Sequence, residues 1–149
     1  MSNTTKKTRS DGFSEAERAA MRERARELKA QGRSGQKQAD NEQAVLDAIA
    51  EMPDADRALG ERIHALVTAN APELLPRTWY GMPAYAREDG KLICFFKAAS
   101  KFDGRYAMLG FEDAATLDDG PMWPVVFAIA EWTLAVEKKI ASLVKTAVT

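Results

Sequence analysis

The spacing of apolar residues switches from helical to strand-like and back again along this chain, and that pattern limits the fold more than any other feature. Between residues 40 and 70 the spacing is helical. Val45, Leu46, Ile49 and Met52 share one face, and after Pro53 a second set, Leu59, Ile63, Leu66 and Val67, falls at i, i+4, i+7 and i+8. Asp40 and Asp54 are the expected N-caps of these two helices, and Asn70-Ala71-Pro72 closes the second. From residue 78 onward β-branched and aromatic residues take over, which predicts strands over 78–86, 92–98 and 105–111. Asp89-Gly90, within the connection 87–91, supplies the positive φ angles of a tight hairpin turn. Residues 125–130 read as a fourth strand, and the prolines beside it, Pro121 and Pro124, favour an edge position. A last helix opens at Thr133 and places Val136, Ile140, Leu143, Val144 and Ala147 on one face. Helices, then a meander of strands, then a helix predict an α+β fold, an antiparallel sheet of four or more strands packed against N- and C-terminal helices.

The N-terminal third differs in character. Ser14 and Glu17 form a capping box ahead of a helix over 14–30, whose apolar side is only Met21, Ala25 and Leu28 among alanines and alternating charges. Residues 31–38, QGRSGQKQ, have the composition of a flexible linker. The expected organisation is a polar arm with one helix and a linker over 1–39, followed by an α+β domain over 40–149.

Composition removes several functional classes. With 21 Lys+Arg against 22 Asp+Glu the net charge is −1, and although the basic residues lean toward the N-terminal arm, interleaved acids argue against a nucleic-acid partner. The single cysteine, Cys94, and single histidine, His64, exclude thiolate zinc sites, an intramolecular disulfide and paired-histidine metal motifs. Cys94 sits within the apolar run 92–96, where a thiol is inert, and His64 has no second histidine or cysteine at ligand spacing. No phosphate-binding glycine loop, nucleophile elbow or metalloprotease motif is present, so the expectation is a non-catalytic protein. The first ten residues are polar without an apolar stretch behind them, and the longest uncharged apolar run, 121–130, is too short to span a bilayer; a cytoplasmic location and no membrane partner are expected.

Trp79-Tyr80-Gly81-Met82-Pro83-Ala84-Tyr85, followed by Gly90-Lys91-Leu92-Ile93-Cys94-Phe95-Phe96 and Lys101, resembles the YdhG-like family of small bacterial domains of unknown function. The likeness covers about residues 40–147, with the segment before residue 40 similar to an extension found in one branch. The family's usual Lys-x-His is replaced here by Lys101-Phe102-Asp103. One family member is described as a frataxin-like iron chaperone. The resemblance therefore implies iron as a cargo and an iron-accepting protein as a partner.

A deliverable iron ion suits exposed carboxylates. Asp47 and Glu51, at i and i+4 on one helix, form one candidate set, and Asp113, Asp118 and Asp119, in the loop after the third predicted strand, form the other. The alternative is a binding module for an apolar or anionic small molecule or a protein partner, with a surface built from Trp79, Tyr80, Gly81, Met82, Pro83, Tyr85, Phe95, Lys97, Lys101 and Trp123. Strand alternation groups Trp79, Gly81, Pro83 and Tyr85 on one face and Tyr80, Met82 and Ala84 on the other. A sheet apolar on both sides implies a ligand groove, a partner surface or cover by the N-terminal helix.

Overall fold

The computed structural model describes residues 12–31 and 38–149. In chain order the elements are α1 (Glu15–Gln31), α2 (Gln38–Ala50), α3 (Asp54–Asn70), β1 (Leu75–Trp79), β2 (Met82–Ala86), β3 (Leu92–Lys97), a 3₁₀ turn (Ala99–Phe102), β4 (Ala107–Phe111), β5 (Val126–Ile129) and α4 (Leu134–Ala147). The five strands form an antiparallel meander in the order β1-β2-β3-β4-β5, which is the α+β arrangement expected. The fourth predicted strand is β5 and lies at an edge.

The run 78–86 is not one strand. Tyr80 and Gly81 both take positive φ, 53° and 78°, so the chain reverses in a two-residue turn that pairs Trp79 with Met82. Two consecutive left-handed residues match the right-handed twist of the flanking strands, as in a type I′ hairpin. Pattern reading missed it because the turn carries a tyrosine where asparagine or aspartate normally signals the bend. In the next hairpin Gly90 takes positive φ and Asp89 does not; a longer loop closes through Arg87 N–H donating to the Lys91 carbonyl.

Strand pairing assigns the side chains to faces. Tyr85, Cys94, Phe96, Leu109, Phe111, Phe127 and Ile129 share the face that meets the helices. There they pack with Ile63 and Val67 of α3 and Ile140 and Val144 of α4. Each such side chain, fully removed from water, contributes roughly 1.5–3 kcal/mol. Trp79, Met82, Ala84, Phe95, Lys97, Met108 and Val126 share the other face. The extra turn residues therefore overturn the expected grouping of Trp79 with Pro83 and Tyr85.

Helix ends follow local chemistry in two cases. The capping box forms, with Ser14 N–H donating to Glu17 and Glu17 N–H to the Ser14 hydroxyl, and Thr133 Oγ1 accepts from Val136 N–H. Asp40 and Asp54 do not cap. α2 starts earlier, at Gln38, whose side-chain amide donates to the Pro76 carbonyl at 2.8 Å. Pro53 precedes α3, and Asp54 instead pairs with Arg57 on the next turn. Among the described residues no helix is long and apolar enough to cross a membrane.

Candidate functional site

The tip of the β1–β2 hairpin is covered by the protein's own N-terminal helix. Glu27 of α1 places one carboxylate oxygen 2.9 Å from the Tyr80 amide and the other 3.0 Å from the Gly81 amide. Successive amides in a left-handed turn point the same way and make a small concavity suited to an oxyanion. Arg24 pairs with Glu27 at 3.5 Å and lies over the Tyr80 ring, 5.8 Å from its centroid. One turn earlier on α1, Glu23 meets Lys101 Nζ at 3.3 Å. A Cβ at Gly81 would meet the Glu23 carboxylate and the Lys101 ammonium, two flexible side-chain ends that would have to move, while the positive φ itself favours glycine. Tyr80, Gly81 and Lys101, three of the residues expected on a ligand surface, thus contact α1.

Arg77, on β1 beside this latch, has a buried Nε without a hydrogen-bond partner among the described residues. Burial and the neighbouring Arg24 charge weaken its hold on its proton, and Glu27 partly offsets them. Arg77, Thr78 and Gly81 line a cleft of about 370 Å³ between α1, α2 and β1.

The remaining predicted surface residues divide by face. Tyr85 and Pro83 are completely buried and Met82 is 6% exposed, so these three are packing residues. Sequence parity alone had no means of showing that, because burial depends on which helices cover which face. Trp79 and Phe95 are half-buried on the face away from the core, with ring centroids 5.2 Å apart. Phe95 lies over Gly110 of β4, where a Cβ would strike its ring. Lys97, two residues along the same strand, sits 5.5 Å from the Phe102 ring centroid. Trp123 is half-buried and packs against the core cluster.

The acidic candidates occupy two different elements. Asp47 on α2 and Glu51, one residue past its end, are exposed and line the cleft beside α1, and Asp47 accepts a hydrogen bond from Gln43. Asp113, Asp118 and Asp119 are exposed in the β4–β5 loop, which is anchored by the buried Ala115 and Leu117. Among the described residues no three His, Cys, Asp or Glu side chains converge as a metal-binding set.

No family model, curated protein or solved structure matches this chain.

Two polar contacts escaped the sequence reading. Asp56, 7% exposed, accepts the amides of Ala99 and Ser100, each at 3.2 Å, and so tethers the 3₁₀ turn to α3. His64 Nδ1 lies 2.9 Å from the Tyr85 hydroxyl, beside a cleft of about 410 Å³ between α2 and α3. Burial lowers the His64 pKa from 6.5, opposed by the Glu42 charge. Burial also raises the Tyr85 hydroxyl well above its ordinary value and pushes the Cys94 thiol up to about 12, which makes Cys94 a poor nucleophile. The helical spacing that puts Asp56 and His64 on the inner side of α3 was in the sequence; their partners, 43 and 21 residues away, were not.

Proposed function

We infer that this protein is a non-catalytic binding module that takes a planar, apolar, anionic small molecule on the open face of its sheet. The observation that carries this reading is the Trp79–Phe95 ring pair, half-buried on the face opposite the core, with Lys97 on the same face. The rings, inclined by 58°, offer a planar molecule one stacking face and one edge contact, and the ammonium supplies a charge-assisted contact for an acidic substituent. Gly110 leaves room for the Phe95 ring to lie across β4.

Iron delivery, the role implied by the resemblance to YdhG-like proteins, is the competing reading. It depends on the Asp47–Glu51 pair or on the loop residues Asp113, Asp118 and Asp119. The deciding experiment titrates the full chain with anilinonaphthalene sulfonate, a planar aromatic anion, and separately with ferrous iron under anaerobic conditions. Saturable dye binding weakened by both Trp79→Leu and Lys97→Gln, in folded variants, supports the sheet-face site. Dye binding indifferent to both substitutions removes that reading. Saturable iron binding lost on neutralising either acidic set supports delivery.

A further inference from the structure

The latch at the hairpin tip is built as a ligand complex in which the ligand is part of the chain. A carboxylate held by two backbone amides at 2.9 and 3.0 Å is the geometry of oxyanion recognition, and here the carboxylate belongs to Glu27. A second carboxylate, Glu23, lies against Gly81 and is held by Lys101. Nearby, Arg77 brings a guanidinium whose buried Nε is unpaired while α1 is docked. Three donor groups therefore contact the two carboxylates, the Tyr80 amide, the Gly81 amide and the Lys101 ammonium, and the Arg77 guanidinium lines the same cleft.

The helix that fills this position is held mainly by those polar contacts. Ala20 is the one buried apolar residue of α1 among its described side chains, and Met21 and Leu28 remain exposed at 36% and 52%. Apolar burial is the term that usually fixes a helix to a domain, and partly exposed ion pairs contribute much less. A helix attached in this way belongs to the part of a fold that opens at low free-energy cost.

We propose that the Tyr80–Gly81 turn, with Lys101 and Arg77, is a binding site for a small oxyanion ligand, and that α1 is its resting, displaceable occupant. The ligand class is a small dianion bearing carboxylate or phosphate oxygens, which reproduces the two acidic groups that Glu23 and Glu27 present. The site borders the Trp79–Phe95 face, since Arg77 pairs with Ala84 there and the Tyr80 and Trp79 rings are 5.2 Å apart, but its oxyanion contacts do not involve the aromatic pair.

The test uses the full chain and two probes, glutarate and inorganic phosphate. Glu23→Gln/Glu27→Gln keeps the shape of α1 but removes the charges that compete for the site. The double variant is expected to bind at least one probe about tenfold more tightly than the wild type, the scale of a charge-assisted hydrogen bond. The amide resonances of Tyr80 and Gly81 are expected to move as it binds. Adding Lys101→Gln to the double variant is expected to weaken that binding by about tenfold again. Glutarate alone identifies a dicarboxylate ligand and phosphate alone a phosphorylated one, and either supports the site. Absence of binding by both probes, equal affinity in the wild type, or shifts confined to amides elsewhere would overturn it. Should the double variant fail to fold, the same titration of Glu27→Gln, read at the same two amides, decides between these outcomes.

Discussion

The Glu27 carboxylate accepts the Gly81 amide at 3.0 Å across 54 residues of chain, joining the polar N-terminal helix to the sharpest turn of the sheet. The two-residue turn sets the positive φ of Gly81, and Glu23 and Lys101 close in beside it. Gly81→Ala is expected to lower stability by about 1–3 kcal/mol, through left-handed backbone strain and collision with the Glu23 carboxylate. Urea unfolding measures the loss, and a change within a few tenths of a kcal/mol would contradict the left-handed strain at this turn.

Phe95 lies across Gly110, so the two residues act as one unit in the floor of the open sheet face. Gly110→Ala forces the ring outward and is expected to cost about 1–3 kcal/mol, typical of overpacking. Because the Trp79 ring is 5.2 Å from Phe95, the substitution is also expected to alter Trp79 fluorescence. An unchanged emission spectrum, measured with Trp123 and Trp132 replaced by Phe, would contradict the packing described.

Asp56 satisfies two amides of the 3₁₀ turn from within α3. Asp56→Ala leaves the Ala99 and Ser100 donors without that acceptor and is expected to destabilise the protein by about 1–3 kcal/mol. Hydrogen exchange of those two amides should accelerate in the variant more than exchange of the Leu109 amide in β4. Equal acceleration everywhere would assign Asp56 a global rather than a local role.

His64 makes stability depend on pH. Its folded-state pKa lies below 6.5, so the unfolded chain binds the proton more readily. The His64 contribution is fully present above about pH 6.5 and is lost as the pH falls through the depressed folded-state value. Thermal unfolding followed from pH 8 to pH 5 should show this decline, and His64→Gln should remove that component. A variant that follows the wild-type profile throughout would place the acid sensitivity elsewhere.

Much of the fold was readable from local pattern because its causes are local. The capping box at Ser14 and Glu17, the Thr133 cap and the apolar stripe of α4 each depend on residues within one or two turns. The Tyr80–Gly81 turn was hidden inside an apparent continuous strand because tyrosine is a rare occupant of a left-handed position. Once that turn is placed, Trp79 changes faces, and the predicted surface set separates into the buried Tyr85 and Pro83 and the half-buried Trp79 and Phe95.

The sequence by itself determined the α+β class, the helical period on either side of the strands, the edge position of β5 and the burial of Cys94 in an apolar run. Those properties follow from side-chain period and composition, which act over a few residues. Tertiary structure alone decided that α1 caps the hairpin, that Asp56 holds the 3₁₀ turn, that His64 meets Tyr85, and that the half-buried Trp79–Phe95 pair lies on the face away from the core. Each of these joins groups distant in sequence, and the pairing is set by how the helices lie on the sheet, a choice made by the packing of the whole core.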